Sequence, residues 1–151
     1  MHKQKGFTLI ELIMVLVLLS ILAVVAVPRY IDLQASAQQA SLNGVLGAVR
    51  SAASIAHAQY LVSGSAPDEI LMGGQSIALI HGYPAASHIP IAASLGLSPL
   101  VPGEQLQIDG ISISLDDTGT SLFQLGNCHF SYQQALSINL PPLISELNCT
   151  P

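Results

Sequence analysis

The chain opens with a long apolar segment and continues with a helical pattern of apolar positions. Phe7–Val27 is a run of about 21 residues in which Glu11 is the only ionisable side chain. A helix of that length spans about 30 Å, the thickness of the hydrocarbon core of a bilayer. Beyond Pro28, apolar residues recur every three or four positions as far as Leu61. The pattern therefore predicts one amphipathic helix that continues to about Leu61.

Pro28 allows two interpretations of the helix. Because proline lacks a backbone N–H, it should bend or loosen a helix that runs through it. Proline is also well accommodated at the first position of a helix, so the alternative is that a second helix begins at Pro28, outside the membrane. Gly44 and Gly47 weaken the same stretch further, by about 1 kcal/mol each relative to alanine.

The composition changes after Gly64 to glycine, proline, serine and β-branched residues, which are typical of strands and turns. Asp109-Gly110 separates two apolar runs and predicts a hairpin with a type I′ turn. Gly73-Gly74 also indicates a turn. The predicted fold class is α+β, with the second half of the long helix packed on an antiparallel sheet of three or four strands. The strands are predicted at Ser76–Ile80, Gln105–Ile108, Ile111–Leu115, Ser121–Leu125 and Cys128–Gln134.

The charges that flank the apolar segment predict its orientation. Lys3 and Lys5 precede the segment and Arg29 follows it, so the positive-inside rule places the N-terminus in the cytoplasm and the single globular domain outside. A secretory signal peptide cleaved near Val27 is the alternative. Glu11 argues against it, because a carboxylate inside a span costs about 2.5 to 3.5 kcal/mol, less near the edge, and indicates a partner for its charge.

Composition narrows the function classes. The net charge of −5 and the 9% of charged residues give no basic patch for nucleic acid, so we expect no nucleic-acid partner. The five histidines are scattered without metal-ligand spacing, and no nucleophile or phosphate-loop motif occurs, so we expect no enzyme activity, cofactor or metal site. Asp116 and Asp117 provide two carboxylates, fewer than a calcium site needs.

The N-terminal residues resemble a known signature. Gly6, Phe7 and Glu11, followed at once by the apolar run and Pro28, are similar to the N-terminus of type IV prepilins and type II secretion pseudopilins. The resemblance implies that a prepilin peptidase cuts after Gly6, methylates the new N-terminus at Phe7 and leaves Glu11 as the fifth residue. It divides the chain into a leader at residues 1–6, a transmembrane and assembly helix at 7–27, and an exported domain at 28–151.

The resemblance also implies a physical role for Glu11 in filament assembly. Cleavage after Gly6 creates an α-ammonium group at Phe7 among apolar helices, and the Glu11 carboxylate of a neighbouring subunit offsets its charge. A wrong axial register would leave both charges buried and unpaired. The alternative is that Glu11 only interacts with the dipole at the start of its own helix.

The exported half supports a narrower resemblance. If this half is exported, a disulfide between Cys128 and Cys149 is expected, with two free thiols as the alternative. In pilins such a bond commonly closes a C-terminal loop that serves subunit contact or adhesion. The segment 82–86 resembles pilins of the mannose-sensitive haemagglutinin (MSHA) type.

The resemblance implies a structural subunit of such a pilus, major or minor, that polymerises through its N-terminal helix for surface attachment. The expected partners are identical or related pilins, the prepilin peptidase, the assembly platform with its motor, the secretin, tip proteins and the inner membrane. Before assembly the chain would lie in the inner membrane, and afterwards in an extracellular pilus. The alternative is a type II secretion pseudopilin that acts in protein export.

Overall fold

A computed structural model of the chain describes residues 7–64, 67–96, 98–138 and 140–150. The chain divides into two compact units, with the division after Ala37. Helix α1 (Leu9–Val62) begins in the first unit and is continuous across Pro28. The alternative of a second helix that starts at Pro28 is therefore wrong, and a bend at this residue stays a prediction.

The second unit combines the rest of α1 with a short helix, α2, and two antiparallel sheets. One sheet has the strand order β1-β2-β3, and the other has the order β4-β5-β6-β7-β8 with β9 paired to β7. The elements are β1 (Glu69–Met72), β2 (Gln75–Ile80), β3 (Tyr83–Pro84), α2 (Ile89–Ala92), β4 (Gln105–Ile108), β5 (Ile111–Leu115), β6 (Thr120–Leu125), β7 (Cys128–Gln133), β8 (Leu143–Ile144) and β9 (Asn148–Cys149).

The α+β prediction is confirmed, and so is the packing of the helix on antiparallel strands. The predicted size of the sheet is wrong. Instead of three or four strands, the described residues form a six-stranded sheet and a separate three-stranded one. Sequence analysis missed β1, β3, β8 and β9, of which three are only two residues long.

The core of the second unit lies between one face of α1 and the inner faces of the strands. Residues of α1 at helical spacing are buried, and alternate residues of β5, β6 and β7 point toward them. The rings of Phe123 and Phe130 stack with their centroids 4.7 Å apart. The main apolar contributors are Leu42, Leu46, Val49, Ala53, Ala56, Ile77, Ile89, Ile113, Phe123, Phe130 and Tyr132.

The Asp109-Gly110 hairpin forms as predicted. β4 and β5 pair with Ile108 opposite Ile111, so the connection has two residues. Asp109 and Gly110 have φ values of 50° and 82°, and a type I′ turn requires positive φ at both of its central residues.

The end of β3 and the residues that follow it are fixed to the large sheet by hydrogen bonds. The Tyr132 hydroxyl donates to the Pro84 carbonyl at 2.7 Å, and the Ser121 hydroxyl donates to the Ala86 carbonyl at 2.6 Å. The Ala86 N–H donates to Gln134 Oε1 at 3.2 Å. Burial raises the pKa of Tyr132, with a smaller effect of Tyr83, so its hydroxyl stays protonated and remains a donor.

Candidate functional site

The start of α1 is closed by a reciprocal pair of hydrogen bonds between Thr8 and Glu11. Glu11 Oε2 accepts the Thr8 N–H at 2.9 Å and the Thr8 hydroxyl at 2.7 Å. The Glu11 N–H donates to Thr8 Oγ1 at 3.4 Å. This arrangement is a capping box, in which two backbone donors at the helix N-terminus are satisfied by side chains three residues apart.

The capping box gives Glu11 a partner inside its own chain. Of the two carboxylate oxygens, Oε2 accepts both hydrogen bonds from Thr8, and Oε1 has no hydrogen bond among the described residues. Glu11 can therefore keep its cap and still accept a donor from elsewhere. The capping role of Thr8 was not predicted, although threonine followed three residues later by glutamate before an apolar run is a recognisable capping signal.

The apolar side chains that the structure describes in the first unit are exposed. Phe7 is 89% exposed, Leu9 is 75% exposed and Val24 is 75% exposed. A window of α1 near the N-terminus has a mean hydropathy of 3.0, and the helix is long and apolar enough to cross a membrane by length and composition. Ser20 adds no unpaired polar group, because its hydroxyl donates to the Val17 carbonyl at 2.8 Å.

Some of the predicted site residues lie outside the described part of the chain. Gly6 does so, together with the lysines of the leader, Lys3 and Lys5. Phe7 and Glu11 lie at the exposed beginning of the first unit, and Pro28 lies within α1.

Cys128 and Cys149 form a disulfide in the second unit. They are opposite each other in the pairing of β7 with β9, and their Cα atoms are 4.0 Å apart. The bond closes a loop whose tip exposes large apolar side chains. They are Leu136, Ile138, Leu140 and Leu143. A cavity of about 330 Å³ opens beside Leu136, Leu140 and Leu143.

The Asp116 carboxylate organises the turn between β5 and β6. It accepts the N–H groups of Thr118 and Thr120 at 3.0 and 2.7 Å, and the Thr118 hydroxyl at 2.8 Å. The bond from the Thr120 N–H is the main reason that the pKa of Asp116 is lowered. Its oxygens are thus engaged within the loop, and the described residues hold no group of three metal-ligating side chains.

Replacing Asp116 with asparagine should lower stability only where the carboxyl is ionised. Because the folded pKa lies below the unfolded value, the contribution is present above about pH 4 and is lost as the pH falls through the folded pKa. We expect Asp116→Asn to lower the free energy of unfolding by less than about 1 kcal/mol at pH 7, since water screens this exposed carboxylate. Urea unfolding of the full chain in detergent at several pH values would measure it.

Asp117→Asn is the matched control for this prediction. Asp117 is exposed and has no side-chain hydrogen bond among the described residues, so its replacement should leave the midpoint almost unchanged at every pH. A difference between Asp116→Asn and wild type that stays constant down to pH 2 would contradict the role given to the carboxylate.

Two of the histidines, His57 and His88, are engaged in structural contacts. His57 stacks on Tyr83 with ring centroids 4.1 Å apart, and its Nδ1 lies 3.0 Å from the Gly82 carbonyl. His88 Nδ1 lies 2.9 Å from the Ser87 hydroxyl, and burial lowers the pKa of His88.

Comparison with known proteins points to the same N-terminal segment. Residues 1–27 match the family described as the prokaryotic N-terminal methylation motif. The chain is 51% identical over 57 residues to the type IV narrow pilus major component PilA5 of Thermus thermophilus, covering 38% of this chain and 49% of the relative. It is 33% identical over 108 residues to the type IV major fimbrial protein FimA of Dichelobacter nodosus, covering 70% of this chain and 65% of the relative.

Residues 1–27 are thus similar to the N-terminal methylation motif, and these two relatives are type IV pilus and fimbrial proteins. A further pilin relative, the type IV major alpha-pilin of Moraxella bovis, is 44% identical over 52 residues, covering 34% of this chain and 33% of the relative. The matches to these pilins span about a third to about two thirds of the relatives' own lengths. No solved structure matches the chain.

A long N-terminal apolar helix packed on antiparallel sheets is consistent with the type IV pilin fold. The names of these relatives describe pilus and fimbrial components.

Proposed function

We propose that the chain is a structural subunit of a type IV pilus and acts by polymerising through its N-terminal helix. The proposal rests mainly on one observation: the residues that match the methylation motif, 1–27, overlap the start of an apolar helix whose side chains are exposed. Such a surface needs cover, and a bilayer before assembly and other subunits after assembly both provide it.

The processing step follows from the motif. Cleavage after Gly6 removes Lys3 and Lys5, so the apolar helix loses the charges that hold its start at the cytoplasmic surface. The new N-terminus at Phe7 becomes the residue directly before the Thr8 cap. The methylated amine of Phe7 is a hydrogen-bond donor, and Oε1 of a Glu11 carboxylate can accept from it.

Glu11 sets the register between subunits in this proposal. Within its own chain the carboxylate is satisfied at Oε2, and Oε1 remains for the α-ammonium of a neighbouring Phe7. A charge pair among apolar helices is favourable only when both partners meet, because either charge alone costs several kcal/mol. Subunits that pair in any other axial register are disfavoured by that cost.

The proposal assigns a location and partners to each stage. The prepilin is a single-pass protein of the inner membrane with a cytoplasmic N-terminus, and it meets the prepilin peptidase there. The mature subunit joins identical or related pilins at an assembly platform, and the filament leaves through a secretin. The exported domain then becomes part of an extracellular fibre.

Within the pilin family we propose the MSHA type, which serves attachment to surfaces. The segment Gly82 to Ala86 supports this assignment, together with the loop closed by the Cys128–Cys149 bond. The loop presents Leu136 and Ile138 to solvent at 66% and 73% exposure, and such apolar groups suit contact with another surface.

Immunogold electron microscopy of the native host tests the proposal. Antibodies to the exported domain should decorate long surface fibres that are absent from a deletion strain and return on complementation. Loss of protein export in the deletion strain, with no fibre decorated, would contradict the pilus assignment and indicate a secretion pseudopilin.

A further inference from the structure

Within the second unit, α1 exposes a face of small residues opposite to its buried face. At helical spacing these residues project from the same side of the helix. We call this surface the glycine face. Its small members are Ala40, Gly44, Gly47, Ser51 and Ala58, all exposed, and the larger exposed Ile55 lies on the same side of the helix.

Nothing in the second unit explains the two glycines of this face. A Cβ atom added at Gly44 or Gly47 would meet nothing within 4 Å, and neither residue has a positive φ. Glycine weakens a helix interior more than any residue except proline. The folded chain by itself would therefore be more stable with alanine at both positions.

Arg50 flanks the glycine face and has no ion pair with any carboxylate among the described residues. It is the only lysine or arginine in the sequence after Arg29. The Ser54 hydroxyl donates to the backbone carbonyl of Arg50 at 3.0 Å, so this contact does not involve the guanidinium. The acidic residues of the same region are Asp68, Glu69, Glu104, Asp109, Asp116, Asp117 and Glu146.

This charge distribution constrains contact between identical copies. Copies that each carry an excess of carboxylates repel one another unless a cation lies against a carboxylate of the neighbour. Arg50 is the cation available in this region, and a guanidinium can hold a carboxylate with two parallel hydrogen bonds.

We propose that Arg50 forms an ion pair with a carboxylate of a second copy of this chain, whose surface lies against the glycine face. Without side chains at Gly44 and Gly47, the backbone of α1 can be approached closely. The inference rests on the proposed function as a self-assembling subunit and names one contact between subunits.

The carboxylate of the second copy is one that its own fold leaves available. Glu69 accepts the Ser76 hydroxyl at 2.6 Å, and Asp116 is engaged within its turn. The remaining acidic side chains have no hydrogen bond among the described residues. These candidates are Asp68, Glu104, Asp109, Asp117 and Glu146.

Charge reversal in the full-length chain, expressed in its native host, tests the ion pair. Arg50→Glu should reduce the yield of sheared filaments at least about tenfold, without loss of the membrane pool of subunits. Lysine is then placed at each of the five candidate carboxylates in the Arg50→Glu background. One of these double variants should restore the yield to within about twofold of wild type.

Two controls separate the loss of the subunit contact from effects of net charge and of subunit stability. Arg50→Gln and Gln105→Glu each lower the net charge by one unit, so Arg50→Gln should reduce the yield whereas Gln105→Glu, at an exposed position on β4, should leave it unchanged. Gly47→Leu should raise the urea midpoint of the detergent-solubilised chain but reduce filaments at least about tenfold, because it fills the space kept for the neighbour.

The outcomes distinguish the inference from the function on which it rests. Normal filaments from Arg50→Glu would overturn the ion pair and leave the pilus function intact. Loss of filaments that no lysine substitution restores would also overturn it. If the wild-type chain forms no filaments under the same conditions, the proposed function fails and the contact fails with it.

Discussion

Cells that produce Glu11→Val should display at least about a hundredfold fewer filaments than wild type, while the variant is still inserted and still cut after Gly6. The substitution leaves the α-ammonium of a neighbouring Phe7 without its partner. Breaking a buried charge pair in this way costs about 3 to 5 kcal/mol, and each 1.4 kcal/mol is a factor of ten. Filament yield after shearing, with the membrane pool measured by immunoblot, checks the expectation.

Thr8→Val is the control that separates register from capping. It removes the hydroxyl of the capping box and costs about 0.5 to 2 kcal/mol of helix stability, but it keeps the Glu11 carboxylate. If Glu11 sets the register, Thr8→Val should assemble at close to the wild-type level. Equal loss of filaments in both variants would mean that Glu11 acts only through its cap, and normal piliation of Glu11→Val would contradict its role in assembly.

Replacing both Cys128 and Cys149 with alanine should lower the free energy of unfolding of the exported domain by about 3 kcal/mol. The bond joins residues 21 positions apart, and a cross-link of that span removes about this much from the unfolded chain in the entropy model. Chemical denaturation of the full chain in detergent, followed by circular dichroism, would measure the change.

Reduced wild-type protein is the matched control for the disulfide. Its unfolding midpoint should fall toward that of the double alanine variant, because both lack the cross-link. A variant that unfolds within about 1 kcal/mol of the oxidised wild type would contradict the contribution given to the bond. We also expect the variant to form fewer filaments, since β9 depends on β7 and the bond for its position.

The parts of the fold with a regular pattern could be predicted from the sequence. α1 ends at Val62, one residue beyond the predicted end, because the recurrence of apolar residues continues through the second unit. β5 alternates buried and half-buried residues along Ile111–Leu115, as a strand with one face in the core must. These elements are specified by periodicity, which is visible locally.

Two of the missed strands, β8 and β9, are specified by contacts more distant in sequence. β8 and β9 pair with β7 across the disulfide-closed loop, and neither is long enough to show alternation. β1 could have been found, because Gly73-Gly74 joins it to β2 as a two-residue turn between apolar runs. Sequence analysis identified the turn but assigned a strand on only one side of it.

The segment Gly82 to Ala86 shows a limit of another kind. Its resemblance to a pilin type was based on the residues alone. The contacts that fix its conformation come from residues far along the chain. Gly82 has a φ of 82°, and a Cβ atom there would lie 2.6 Å from the Tyr60 ring. Tyr132 and Ser121 hold the following carbonyls from the large sheet, and no local pattern reveals those partners.

Some features of the candidate site are visible in the sequence, and others are visible only in the folded chain. The apolar run and its single carboxylate are evident in the sequence, and the resemblance supplies the cleavage position. The capping box has a recognisable sequence signal in Thr8 and Glu11, but it was not predicted and was found from the geometry. Arg50 received no attention at the sequence level, because its lack of an ion pair is a property of the folded chain.

The most direct test of prepilin processing and filament assembly is the intact mass of the protein recovered from sheared surface filaments of its native host. The expected mass is that of a chain that begins at Phe7, carries one added methyl group and contains the Cys128–Cys149 bond. A chain that begins near residue 28 would contradict this, because it would be an ordinary secreted domain without the assembly helix.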